Sequence, residues 1–230
     1  MPNHPIFAPT FHGDLERVTA LLDEDPELVE VRDAKGLTPL HVAASRGQDD
    51  IIRLLIDRGA DIEGPTEDGE WSPLAFAAYR GHLGAVEALI ECGAEVGEAA
   101  GNPIHFAGQR KHKEVCRLLV QGGAVDDLVD PAEPDLLELF RASFSYDLES
   151  VEQILDSRPE LVHGKDRNGR TPLHEVSTHG DVKAAKVLLQ AGADPGVLDD
   201  RGQSPIDRAA AHRQHAVSRL FEKHGRAGSD

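Results

Sequence analysis

Residues 33–44 read Asp33-Ala34-Lys35-Gly36-Leu37-Thr38-Pro39-Leu40-His41-Val42-Ala43-Ala44, and they return at 166–177 as Asp166-Arg167-Asn168-Gly169-Arg170-Thr171-Pro172-Leu173-His174-Glu175-Val176-Ser177. Each copy sets an Asp-x-x-Gly turn before a Thr-Pro pair. Thr is a good helix N-cap, and Pro at the first helical position gives up an N–H that has no intrahelical partner there. Small residues follow, which let neighbouring helices approach closely. Gly47 and Gly180 then break the helix, where a positive φ is expected. Weaker copies start at Ser72-Pro73-Leu74, Asn102-Pro103-Ile104 and Ser204-Pro205-Ile206. The prolines at 39, 73, 103, 172 and 205 are separated by 34, 30 and 33 residues, with one hole of 69, about two periods. After each copy a second, amphipathic segment carries an apolar doublet such as Leu55-Ile56, Leu89-Ile90 or Leu188-Leu189. Gly-Ala signals at Gly59, Gly93, Gly123 and Gly192 close these segments.

A longer echo overlies the short period. Asp14-Leu15-Glu16, Pro26-Glu27-Leu28-Val29 and Asp33 to His41 recur 133 residues later, at Asp147, Pro159 and Asp166. Counting doublets and the final unit gives about seven repeats, read as a duplicated block of repeats 1–4 followed by 5–7. One such helical pair cannot bury its own apolar face, so stability must come from stacking.

Composition bounds the rest. The chain has 230 residues, 40% hydrophobic but only 4% aromatic, so its core is expected to be aliphatic. A formal charge of −17 argues against nucleic-acid and anionic-membrane partners, which need net Lys and Arg. No apolar run approaches the ~20 residues that span a bilayer. The start, Met1-Pro2-Asn3-His4-Pro5, lacks the basic flank and apolar stretch of a secretion signal. Cys92 and Cys116 fall six residues out of register between their repeats, which argues against a disulfide. A cytoplasmic protein is expected.

Asp-x-x-Gly-x-Thr-Pro-Leu-His-x-Ala at a spacing near 33 residues resembles the ankyrin repeat, over roughly residues 5–225, with the closest matches at 33–61 and 166–194. The resemblance implies an all-α solenoid of helix-turn-helix units joined by short β-hairpin-like turns. It also implies a groove-forming face of turns and first helices that binds other proteins, and a motif His (His41, His105, His174) hydrogen-bonded to turn backbone. The expected organisation is repeats 1–4 at 1–127, an acidic Pro-rich joint at 128–134, and repeats 5–7 at 135–230, in one continuous stack. Pro9 is expected to fray the first helix of repeat 1. Repeat 3 carries an extra turn residue in Asp68-Gly69-Glu70-Trp71-Ser72, Lys111 replaces the helix-breaking Gly of repeat 4, and Phe221-Glu222 reads as an end cap.

The functional expectation is a non-catalytic interaction scaffold, monomeric alone, whose partner offers an acidic and apolar segment. Arg46, Arg80 and Arg110 hold one position in repeats 2, 3 and 4, a ladder continued by Ser145, His179 and His212. With Trp71 and Tyr79 they form the proposed partner-binding set, since Trp, Tyr and Arg are the usual interface anchors. Trp71 either serves that patch or folds back to fill the gap before repeat 4. Phe144 and Tyr146 either form a second patch or plug a defect in the stack. Arg141, Glu175 and Arg208 share one helix position and suggest an ion ladder. His212 and His215 have zinc-like spacing but straddle a turn and lack partners, so no metal and no cofactor is expected. The sequence holds no phosphate loop, nucleophile elbow or His-Glu-x-x-His. Two alternatives remain: a regulatory or inhibitor subunit of a partner enzyme, or an enzyme or small-molecule binder at the repeat 4–5 junction, using His105, Arg110, His112 and Phe144.

Overall fold

The structure, a computed structural model, describes residues 4–67, 69, 71–97, 102–130 and 132–227. Asp68, Glu70 and Pro131, on which parts of the turn and joint readings fall, lie outside the described residues, as does the very end of the polar tail. Among the described residues the chain is all helix and turn, with fourteen α-helices in seven consecutive pairs and no strand.

It divides into two compact units, Met1–Ala107 and Gly108–Asp230. The first holds α1 (Phe7–His12), α2 (Leu15–Glu24), α3 (Pro39–Arg46), α4 (Asp49–Asp57), α5 (Pro73–Arg80) and α6 (Leu83–Glu91). The boundary falls within α7 (Pro103–Gln109). The second unit contains α8 (Lys113–Gln121), α9 (Pro134–Ser145), α10 (Leu148–Ser157), α11 (Pro172–His179), α12 (Val182–Gln190), α13 (Pro205–Ala211) and α14 (His215–Ala227).

The same layering builds each unit. In the first, α3 packs between α1 and α5, while α4 packs between α2 and α6. In the second, α11 packs between α9 and α13, and α12 between α10 and α14. The doublets and small residues do this work: Leu22, Leu40, Ala43, Ile52, Leu55, Leu74, Ala77 and Leu89 are fully or almost fully buried, as are Leu139, Leu173, Val176 and Leu188. Each such large aliphatic contributes about 1.5–3 kcal/mol by leaving water.

The turn Asp explains the hairpin. Asp33 Oδ1 accepts the N–H groups of Lys35 and Leu37 at 2.8 and 2.9 Å, and Asp33 N–H donates to the Leu37 carbonyl at 2.9 Å. Asp166 and Asp199 repeat the pattern with Arg170 and Gln203. In repeat 3 Thr66 stands in for Asp, and its partner is Trp71, one residue further along than in the other turns.

The motif His then ties each turn to the next. His41 Nδ1 accepts from Thr38 N–H at 3.3 Å, and its Nε2 lies 3.1 Å from the Trp71 carbonyl. His174 does the same with Thr171 and the Gln203 carbonyl. One nitrogen accepts and the other must donate, so both rings are neutral Nε2–H tautomers.

One expectation changes. Fraying of repeat 1 does not occur: α1 forms, because Pro9 falls in its first turn, and Gly13 ends it at φ 78°. The left-handed residue after a first helix is not always Gly. Lys111, Tyr146 and Arg213 occupy that position at φ 62°, 60° and 55°, against a cost of about 1–2 kcal/mol each. At the final doublet Phe221 is buried and Glu222 is exposed.

Candidate functional site

Between the turns and first helices of the first unit lies a groove of about 470 Å³. Phe11 from α1, Val42, Ser45 and Arg46 from α3, and Phe76 and Arg80 from α5 line it, with Asp33, Lys35, Leu37, Thr66 and Trp71 from the two turns. Val42–Arg46 and Phe76–Arg80 are each one helical turn apart and therefore share a face. Each repeat thus presents an apolar residue beside the turns and an arginine at the helix end.

The groove's charge runs against that of the whole chain. Arg46 and Arg80 enter no ion pair among the described residues. Arg46 instead lies over the Phe11 ring, 4.2 Å from its centroid, a cation–π contact that holds the guanidinium at the rim. The one carboxylate in the lining, Asp33, is engaged by its own turn. The structure places two of the ladder arginines, Arg46 and Arg80, on this groove, with Lys35 a third cation in a lining that mixes apolar and polar residues.

Trp71 folds back against the next repeat, one of the two readings the sequence offers, and part of it still lines the groove. It stacks on Phe106 at 4.1 Å and 14°, filling space beside the next repeat, and it meets Phe76 at 5.1 Å and Tyr79 edge-on at 5.3 Å. It nonetheless stays half-buried in the groove wall. Tyr79 is half-buried behind it. Phe11, Leu37, Val42 and Phe76 were not singled out by sequence. The available signal for Val42 and Phe76 was their register, one helical turn before each arginine.

In the second unit the equivalent positions carry different chemistry. Arg170, Glu175 and His179 stand 133 residues after Leu37, Val42 and Arg46. Arg110 is exposed beyond α7 and His212 is half-buried at the end of α13. His179 is a correction: it is not at the surface of a groove but wholly buried, its ring centroid 5.2 Å from Phe144 and 6.0 Å from Tyr146. Burial pushes its pKa down to about 3, with the charges of Arg208 and His212 adding to the effect. Phe144 and Tyr146 are likewise buried, and the Tyr146 hydroxyl donates to the Gly108 carbonyl at 3.0 Å, so they plug the interior and form no surface patch.

The expected ion ladder is a further correction: Arg141, Glu175 and Arg208 form no ion pair with one another among the described residues. Arg141 turns away to Asp126 and Glu138, at 2.7 and 2.5 Å. Glu175 is met instead by Arg170 at 3.6 Å, and Asp199 lies 3.7 Å from Arg208 and 4.0 Å from Arg170. Arg208 Nε donates to Thr178 Oγ1 at 2.8 Å. All four charged residues are under 9% exposed, a buried quartet of two cations and two anions. Elsewhere, Cys116 is buried and its thiol pKa is pushed up to about 12 by that burial, while Cys92 is half-buried; both are free thiols. No described helix is long and apolar enough to cross a membrane.

Comparison with known proteins supplies the remaining findings. A family model described as ankyrin repeats (3 copies) matches residues 6–100 and 139–229. The chain is 30% identical over 186 residues to the probable E3 ubiquitin-protein ligase XBOS32 of Oryza sativa subsp. japonica, covering 79% of this chain but 36% of that protein. It thus spans little more than a third of the rice protein's length. It is 25% identical over 217 residues to the probable 26S proteasome regulatory subunit p28 of Saccharomyces cerevisiae, covering 91% of this chain and 94% of that one. Among solved structures, the human ASB11 ankyrin repeat domain superposes with a TM-score of 0.58 at 24% identity, covering 94% of this chain and 96% of that one.

Proposed function

Since the chain belongs to the ankyrin-repeat family, we propose that it is a non-catalytic scaffold whose protein partner docks in the groove of the first unit. Ankyrin repeats bind other proteins, and that much holds for this chain. The observation that carries the finer reading is the convergence of Arg46, Trp71 and Arg80 on one trough, with Tyr79 supporting Trp71 from behind. Arginine beside aromatic rings is the composition of interface anchors. Arginines without an ion pair beside Phe11, Phe76 and Trp71 suit a segment with acidic and apolar side chains. Arg110 and His212, at the equivalent helix ends of the second unit, are proposed as contacts of the same kind. His179 leaves the set because its ring is buried. A monomeric cytoplasmic protein is part of the proposal, and two unpaired thiols are compatible with a reducing compartment.

A second reading, a regulatory subunit of a larger machine, draws support from the nearly end-to-end match with the yeast protein named as a probable proteasome regulatory subunit. It uses the same groove with a different consequence of binding.

The test is affinity capture from the native source with wild type and with Trp71→Ala/Arg80→Glu. Hot-spot truncations cost about 2 kcal/mol or more each, so partner recovery is expected to fall by well over tenfold. Recovery of the same partners at equal yield removes the groove from the reading.

A further inference from the structure

Resting on that groove reading, we infer that the occupant of the first unit's groove is an acidic amphipathic α-helix whose carboxylates repeat every seven residues. The inference comes from how the two arginines and the apolar residues are arrayed. Val42 and Arg46 stand on α3, Phe76 and Arg80 at the equivalent positions of α5, and the two helices pack as neighbours. The apolar residues therefore form one row and the arginines a second, parallel row one helical turn away. A ligand crossing both helices meets Phe76 and the edge of Val42 along one row and the two arginines along the other, with Asp33, Lys35 and Leu37 of the turn also in the lining.

Spacing selects the ligand's conformation. Packed helix axes lie about 8–10 Å apart, which sets the interval between equivalent residues of α3 and α5. On an α-helix, residues seven apart share a face and are separated by about 10.5 Å, about 0.5 Å beyond the upper end of that interval. On an extended strand, side chains of one face recur at about 6.6 or 13 Å, further from the interval in both cases. A helix also lays an apolar stripe directly beside a charged flank, matching the two rows, whereas a strand sends alternate side chains to opposite faces. Charge supports the same occupant. The chain carries −17 overall, which would repel an acidic ligand elsewhere, while the groove rim offers Arg46, fixed over Phe11, and Arg80.

Trp71 is the chain's single tryptophan and lies in the groove wall, so its emission reports on this site alone. The probe is a capped 18-residue Ala-based peptide carrying a Leu stripe at i, i+3, i+4 and i+7 positions and two Glu residues seven apart on the adjoining flank. Saturable change in Trp71 emission is expected. Replacing both Glu by Gln is expected to weaken binding tenfold or more, and a central Pro, which breaks the helix, to abolish it. Arg80→Glu is expected to weaken the Glu peptide and to gain affinity for the version with Lys in place of Glu. Arg80 is exposed, so circular dichroism of that variant is expected to match wild type.

Equal binding of the Gln peptide overturns the acidic requirement, and equal binding of the Pro peptide overturns the helix. Failure of every peptide to alter Trp71 emission overturns the inference as a whole. In all three cases groove docking itself stands or falls separately, by whether the Trp71→Ala/Arg80→Glu variant still captures its native partners.

Discussion

Glu175→Ala is expected to destabilise the second unit by about 3–5 kcal/mol, the range for removing one partner from a buried ion pair. Glu175 is 0% exposed, and Arg170 reaches it at 3.6 Å. Without its carboxylate, Arg170 and Arg208 remain buried with Asp199 as the single anion of the former quartet, and Asp199 Oδ1 is already engaged by the N–H groups of Arg201 and Gln203. Urea unfolding followed by circular dichroism measures the effect. Glu152→Ala, at an exposed site on α10, serves as the ordinary comparison and should shift stability by no more than about 0.5 kcal/mol. The first unit suggests a rescue. Leu37, Val42, Thr66 and Phe76 stand where the second unit has Arg170, Glu175, Asp199 and Arg208, so Arg170→Leu/Glu175→Val/Asp199→Thr/Arg208→Phe removes the whole quartet. Replacement of a whole buried ionic set by uncharged residues is often neutral or stabilising, and the quadruple variant is expected to recover most of the loss. A Glu175→Ala variant as stable as wild type would show that the quartet does not hold this unit together.

Gly108→Ala is the second large effect. A Cβ at Gly108 would fall against the His179 ring, well inside contact distance of Cδ2 and Nε2. The ring cannot move aside: it is wholly buried, Phe144 and Tyr146 pack beside it, and the Tyr146 hydroxyl is itself bonded to the Gly108 carbonyl. Overpacking of this kind costs about 1–3 kcal/mol, even though Ala is the better helix former by ~1 kcal/mol. The specific check is a double-mutant cycle. His179→Ser alone opens a cavity and destabilises, but in the Gly108→Ala background it makes room for the new methyl. The two changes together are expected to cost clearly less than the sum of each alone.

These cases show where sequence was informative. Backbone punctuation was legible residue by residue: Thr38 and Thr171 cap, Pro39 and Pro172 open helices, Asp33 and Asp166 fold the turns, and the doublets face inward, because each of these effects is settled within a few neighbouring residues. The left-handed position could be located even where Lys111 or Tyr146 fills it. Side-chain partnership was much less legible. Glu175 and Arg208 did belong to one cluster, but Arg141 found Asp126 and Glu138, and Arg170, which was not singled out by sequence, entered from the preceding turn. Which carboxylate an arginine reaches depends on rotamers and on what covers it. His179 was misplaced for the same reason, since its register matches Arg46 but Phe144 and Tyr146 enclose it. The groove was half visible: its arginines and Trp71 were identified, while Phe11 and the apolar row needed the packed helices to bring them together.

Desolvated imidazoles, three buried and one half-buried, make the fold a proton-sensitive object. Desolvation holds His41, His174, His179 and His212 below the usual histidine pKa, His179 down to about 3. The unfolded chain titrates near 6.5, so below that pH it binds protons that the native state refuses. Stability is therefore complete above about pH 6.5 and drains away on acidification, at up to about 1.4 kcal/mol per pH unit for each fully discriminating ring. Thermal melts at pH 7.5, 6.0 and 5.0 should step downward, and His179→Leu should flatten the slope even if it lowers the starting point. Whatever this protein clasps, acidification would loosen the clasp by melting the hand.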